Sequence, residues 1–344
     1  MRECGFVEYA SFVTFFPQLI AGPIVTYDEL IPQFQDDERK RFQWGNFARG
    51  IYIFVLGLAK KVLLADTFGN AANWGFSNIG ELDSTNAIFT MLSYTIQIYF
   101  DFSGYCDMAV GIGKMMNIDL PLNFNSPYKA RTITEFWERW HMTLTRFFTK
   151  YIYIPLGGNH GTAGRTYCNI MIVFLISGLW HGANWTFILW GVCHGIASVI
   201  SRCFQRQIKY MHPGLSWIFT FSFVTAAWTI FRAESVRDAW NLFRCVAILK
   251  FGNVNENIIN CFNLPELIFL RDRFHVTDFM TAYPWLFMVS FFVLAILLVF
   301  VHKNAYEKMQ EFVPTTLRAV TTAVLLVWCI CSFSGVSTFL YFNF

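Results

Sequence analysis

Residues 166–201 read TYCNIMIVFLISGLWHGANWTFILWGVCHGIASVIS, thirty-six positions without one Asp, Glu, Lys or Arg and with His181 in their midst. A single helix of that length would run about 54 Å, nearly twice the ~30 Å hydrocarbon core of a bilayer. Two full spans with a turn need more than about 40 residues. The stretch therefore predicts two shortened helices meeting near Gly178, Gly182 and Asn184. Irregular backbone at membrane depth persists only where it is buried in protein or lines a cavity. An ionisable side chain at such a break, here His181 between Trp180 and Trp185, marks a functional site by default.

The rest of the chain is of the same kind. It is 55% hydrophobic and only 14% charged, too little charge to cover a water-soluble surface. Uncharged runs recur at Tyr9–Tyr27, Tyr210–Phe231, Phe279–Val301 and Ala319–Phe344. Runs of this length predict an all-α, polytopic membrane protein, since a barrel would show short alternating segments instead. Helices are expected at 9–25, 47–66, 85–113, 132–153, 166–180, 183–201, 214–232, 282–302 and 316–334. The first is broken by Pro17 and Gly22-Pro23, which suits a re-entrant segment. Residues 233–280 form the longest stretch outside the membrane, and nothing divides the chain into more than one unit, 1–344. No cleavable leader is expected; the first apolar span serves as its own insertion signal.

Basic residues cluster at Arg39-Lys40-Arg41, Arg202 to Lys209, and Arg271 with Arg273. Such clusters place loops on the cytoplasmic side of a cell membrane and call for no nucleic acid. Nine cysteines include no CxxC, and no second ligand stands at i+3 or i+4 to His181, so neither a disulfide framework nor a metal site is expected.

The segment TITEFWERWHMTLTRFFTKY (132–151) differs from its neighbours. Thr132 and Glu135 form a capping box. At 100° per residue Phe136, Trp137, Trp140, Leu144, Phe147, Phe148 and Tyr151 fall within about 120° of arc, predicting one amphipathic helix with His141 at the edge of its apolar face. His141 reads either as a packing residue or as part of a site. His181 likewise reads either as a carbonyl-bonded structural residue or as a base: desolvation keeps an imidazole neutral, able to take a proton from an attacking hydroxyl. Asp101 and Asp107, in IYFDFSGYCDMAVG, need pairing or hydration at membrane depth, with an Arg partner or the membrane edge as the expected solution.

FFPQLIAGPI (15–24), YFDFSGYCDMAVGIGKMMNIDLPLNFNSPY (99–128), TEFWERWHMTLTRFFTKYIYIPLGGN (134–159), SGLWHGANWTFILWG (177–191) and FRAES (231–235) stand in one order along the chain. Together they resemble the membrane-bound O-acyltransferase superfamily, most closely its bacterial alginate O-acetyltransferase branch. The D-alanyl-transfer proteins of teichoic acid synthesis share the FDF-x-GY and W-x-R-WH elements. The resemblance implies a ring of tilted and broken helices around a tunnel. It maps the family's essential WHG histidine to His181 and its second active-site histidine to His141. Two departures stand out: family members carry more spans ahead of FFPQ, so the chain is expected to be N-terminally short, and the usual Arg-Asp-Tyr after the RWH motif is Thr149-Lys150-Tyr151 here.

The expected function is thus transfer of an acetyl group from a cytoplasmic thioester, acetyl-CoA or another acyl thioester, toward an exported polysaccharide. The family implies an extracytoplasmic acetyltransferase-like partner, and no bound cofactor is expected. His181 is the expected base and His141 a positioning group. Trp180, Trp185 and Asp101 are candidate substrate contacts, and Asn184 is either an oxyanion donor or simply a residue that breaks the helix. D-alanyl transfer is the alternative within the class; a non-catalytic remnant and a transporter lie outside it.

Overall fold

The computed structural model describes residues 5–19, 22–264, 283–335 and 340. The basic pair Arg271 and Arg273 and the last third of the predicted extramembrane stretch, 265–280, lie outside the described residues. Within them the chain is helical, with no strand. The helices are α1 (Phe6–Thr14), α2 (Tyr27–Gln35), α3 (Trp44–Ala59), α4 (Asp66–Ser77), α5 (Ser84–Met115), α6 (Ile133–Arg139), α7 (Met142–Phe148), α8 (Ala163–His181) and α9 (Trp185–Cys203). They continue with α10 (Gln205–Tyr210), α11 (Pro213–Arg232), α12 (Val236–Ala247), α13 (Glu256–Asn260), α14 (Trp285–Ile296), α15 (Ala305–Gln310) and α16 (Thr316–Cys331). Three of them, α8, α9 and α11, are long and apolar enough to cross a membrane.

The centre is α5, 32 residues or about 48 Å long, against which α3, α4, α11 and α12 pack. Asp83 starts it by accepting the Asn86 N–H at 2.8 Å. Between α3 and α4 the backbone widens into a π-turn, Lys60–Ala65, that sets two consecutive lysines against α5. Lys60 Nζ lies 2.6 Å from Asp107, while Lys61 Nζ bridges Asp101 at 2.8 Å and Asp66 at 2.7 Å. The buried aspartates are paired, as burial of a charge requires. Their partners are lysines rather than the expected arginine.

Several elements differ from the reading of the sequence. Helix α1 ends at Thr14, before Pro17, and residues 22–26 are not helical, so no span covers 9–25. Segment 132–153 is not one helix: it breaks at Trp140–His141, and His141 takes a left-handed conformation with φ 45°. Past the break the 100° wheel loses its meaning. Phe136, Trp140, Leu144 and Phe148 are buried, but Phe147 and Tyr151 are exposed. Helices α8 and α9 are not shortened, at 19 residues each, about 28 Å. Counting uncharged residues alone missed their ends, because Arg165 in α8 and Arg202 in α9 belong to the spans and sit where long basic side chains reach the interface. His181 therefore lies at the tip of a helical hairpin and not at a mid-membrane break.

Candidate active site

The hairpin tip is built by glycine. Gly178 lets α9 approach so closely that a Cβ there would lie 2.5 Å from the Phe187 carbonyl oxygen. Gly182, with φ 155° and ψ 170°, turns the chain in a region of backbone space open essentially to glycine alone. Asn184 then caps α9: its side-chain oxygen accepts the Thr186 N–H at 3.2 Å, and its amide N–H donates to the Glu234 carbonyl at 2.9 Å. Both halves of that amide are engaged in holding the tip to the FRAES segment.

His181, the last residue of α8, stands inside a ring of aromatic side chains. Its imidazole lies 4.8 Å from Trp180, 5.0 Å from Phe231, 5.3 Å from Trp190 and 6.3 Å from Phe187, centroid to centroid. The Trp180, Trp190 and Phe231 contacts are edge-to-face, the arrangement that aromatic quadrupoles favour. Trp185 is 73% exposed.

His141 is held by hydrogen bonds. Its Nδ1 lies 3.1 Å from the side-chain oxygen of Asn123, which also accepts the Thr143 N–H at 3.2 Å and the Thr143 hydroxyl at 3.0 Å. The Met142 N–H donates to the Asn123 carbonyl at 3.0 Å, and the Asn125 N–H to the Arg139 carbonyl at 2.9 Å. These bonds stitch the loop after α5 to the α6–α7 break and satisfy backbone groups that the break releases. Phe102 packs edge-on at 4.7 Å. His141 lies outside the three spanning helices. Burial, with a smaller contribution from nearby His181, pushes its pKa down to about 3. It is a neutral imidazole at physiological pH.

The two histidines, forty residues apart in sequence, meet across one side chain: Trp180 touches His181 at 4.8 Å and His141 at 6.5 Å. Asp101 is not part of this group. Its carboxylate is taken by Lys61 and by the Leu340 N–H at 3.1 Å. Trp190 joins the His181 ring with Phe187 and Phe231, and neither hydropathy nor periodicity could have chosen those two from among 39 phenylalanines.

Beside the pair opens a cavity of about 980 Å³. Arg131, Arg202 and Lys209 line it toward the C-terminal end of α9; Phe148 and Ser177 line it toward the hairpin tip. Neither histidine lines it directly. The link is again Trp180, which touches Phe148 at 6.4 Å, while Ser177 lies one helical turn before His181. Among the described residues no cluster of His, Cys, Asp and Glu could hold a metal ion. The arrangement offers two imidazoles against one tryptophan, beside a cavity lined by Arg131, Arg202 and Lys209 and by Glu135 and Glu138.

Comparison with known proteins agrees with the motif reading. The sequence profile of the membrane-bound O-acyltransferase family matches residues 1–236. A peptidoglycan O-acetyltransferase of Helicobacter pylori is 43% identical over 98% of this chain and 64% of its own length. A probable alginate O-acetylase of Azotobacter vinelandii is 41% identical over 76% of this chain and 51% of its own. A teichoic acid D-alanyltransferase of Bacillus subtilis is 26% identical over 65% of this chain and 60% of its own. The chain thus spans between about half and just under two thirds of the length of these relatives.

Proposed function

We propose a function from this premise: the chain belongs to the membrane-bound O-acyltransferase family. It moves an acetyl group from a thioester donor toward an exported polysaccharide, directly or through an extracytoplasmic partner protein, and residues 1–344 act as one membrane-embedded unit of the cytoplasmic membrane. The observation that carries this reading is the meeting of His181 and His141 across Trp180 beside the cavity.

The donor enters by the cavity. Arg131, Arg202 and Lys209 suit the phosphates of acetyl-CoA, and from Arg202 to Phe187 helix α9 rises about 22 Å, a path for a long flexible thioester arm. At the inner end the acceptor hydroxyl attacks the thioester carbonyl. Its proton passes to the imidazole of His181, the carbon–sulfur bond breaks, and the thiolate leaves and is protonated as the histidine returns to its neutral form. The aromatic side chains packed against the imidazole support this role by holding it in one place. His141 orients the reacting groups from the other side of Trp180.

Acetyl is favoured over D-alanyl because the O-acetylating relatives stand at 43% and 41% identity and the D-alanyl one at 26%. Peptidoglycan is the acceptor to test first, since the relative named for it matches nearly the whole chain.

The test is label transfer from radiolabelled acetyl-CoA in membranes carrying wild type or His181→Ala, with peptidoglycan and the candidate partner present. Label should reach polymer or partner in wild type and fall by about 10²–10⁴-fold in the variant at equal membrane abundance. Equal labelling by both would remove His181 from the chemistry.

A further inference from the structure

Asn123 belongs to no motif element assigned a role above, yet it makes the contact that determines the state of His141. We propose that Asn123 is a positioning residue that fixes the proton of neutral His141 on Nδ1, leaving the ring's lone pair on Nε2.

The orientation of the Asn123 amide is settled by a group that cannot accept. A backbone N–H only donates, so the atom 3.2 Å from the Thr143 N–H is the carbonyl oxygen. The Thr143 hydroxyl reinforces the assignment: it accepts the Ile24 N–H at 3.0 Å and turns its own proton toward Asn123 at 3.0 Å. The amide nitrogen of Asn123 then faces Cys106 Sγ at 3.2 Å, where a donor belongs. With an oxygen 3.1 Å from His141 Nδ1, that nitrogen must carry hydrogen, because two lone pairs at this distance repel. A neutral imidazole has one N–H, so Nε2, on the side of the ring away from Asn123, is the basic atom. The left-handed backbone of His141, costly for a residue with a Cβ, is what brings Nδ1 to Asn123.

The groups facing His141 are consistent with a neutral ring. They are Phe102 of α5, Phe124 of the following loop, and Trp180 of α8, with His181 as the nearby titratable group and Cys106 behind Asn123. The proposal gives His141 a defined chemical face within the acyl-transfer reading and so rests on that reading for its catalytic meaning; the tautomer itself does not.

The experiment is nitrogen-15 NMR of the full chain, ring-labelled at its seven histidines, in lipid nanodiscs, with the His141 signals identified by their loss in His141→Gln. Wild type should show His141 with Nδ1 protonated and Nε2 bare. Asn123→Leu, which removes the acceptor, should shift the population toward Nε2–H. Asn123→Asp, which keeps an acceptor, should retain Nδ1–H and raise the pH at which the ring gains its second proton. A wild-type ring protonated on Nε2, or Nδ1–H retained in a folded Asn123→Leu, overturns the proposal; if the Leu variant does not fold, wild type and the Asp variant decide. In the label-transfer assay the Leu variant should lose at least about tenfold in kcat with the donor KM unchanged, restored by Asp. Because the spectrum needs no turnover, an inactive chain with the expected tautomer would count against acyl transfer and not against Asn123.

Discussion

The two histidines sit at equivalent places, each beside a helix end, and the contacts that surround them differ in kind. His181 is placed by shape: glycine lets two helices meet, and four aromatic rings surround the imidazole. His141 is placed by polarity: one asparagine gathers it, the Thr143 N–H and the Thr143 hydroxyl onto one oxygen. Aromatic packing fixes where a ring lies while leaving either tautomer sterically possible. A hydrogen bond fixes which nitrogen carries the proton. A base that must gain and lose a proton in each cycle suits the first setting, and a group that must present one defined face suits the second.

After loss of His181 itself, the largest expected effect comes from disturbing the shape-held side. In Gly182→Ala the added Cβ would lie 2.8 Å from Phe187 Cε2 and in strained backbone. A shift of about 1 Å at a reacting group costs about a hundredfold in rate. The variant should therefore lose about a hundredfold in kcat, read by label transfer at matched abundance. An unchanged rate would mean that the aromatic ring of contacts does not position His181.

A smaller effect sharpens the same comparison at Asn184. As an oxyanion donor its loss would cost about 10²–10³ in kcat. The structure commits its amide to capping α9 and to Glu234. Asn184→Ala should accordingly lower stability by about 0.5–2 kcal/mol, seen as a lower thermal midpoint in detergent, with kcat nearly unchanged. A large loss of kcat without loss of stability would return Asn184 to the chemistry.

Legibility in the sequence followed the same division. Helices α5, α8, α9 and α11 were readable to within three residues; the last three are long apolar runs, and membrane insertion depends on little else. The motif order pointed to the family, and the WHG and RWH histidines are brought together. The break at His141 was not readable. No glycine or proline marks it, and its cause is Asn123, eighteen residues upstream, in a loop that propensity describes only as a turn. Helix α4 was missed because Asp66 looked like an end, whereas Lys61 neutralises it. Phe231 joins the His181 ring from another helix, a contact that only tertiary packing creates.

The smallest expected effect concerns acid. The polarity-held side is belted by charge: Arg146 of α7 reaches Glu29 of α2, Nη2 to Oε2 at 3.0 Å, and the Ile24 carbonyl at 3.0 Å. Burial acts to raise the Glu29 pKa, but the Thr26 N–H and hydroxyl and the Arg146 guanidinium outweigh it and hold the carboxyl below its ordinary value. A depressed carboxyl stabilises the folded state fully above its unfolded pKa of about 4.3 and loses that contribution as pH falls through the folded value. Both partners are more than a third exposed, so solvent screening keeps the contribution below about 1 kcal/mol. Hydrogen exchange, corrected for intrinsic rates, should show peptides 22–29 and 141–148 losing protection below about pH 4 in wild type, whereas Glu29→Gln should already lack that contribution at neutral pH and show no further fall from this pair. The hairpin tip 178–187 contributes no residue to the Glu29–Arg146 pair, so Glu29→Gln should leave its protection unchanged at neutral pH. Equal loss at both places would mean that the two histidines share one support and that the contrast between them is only local.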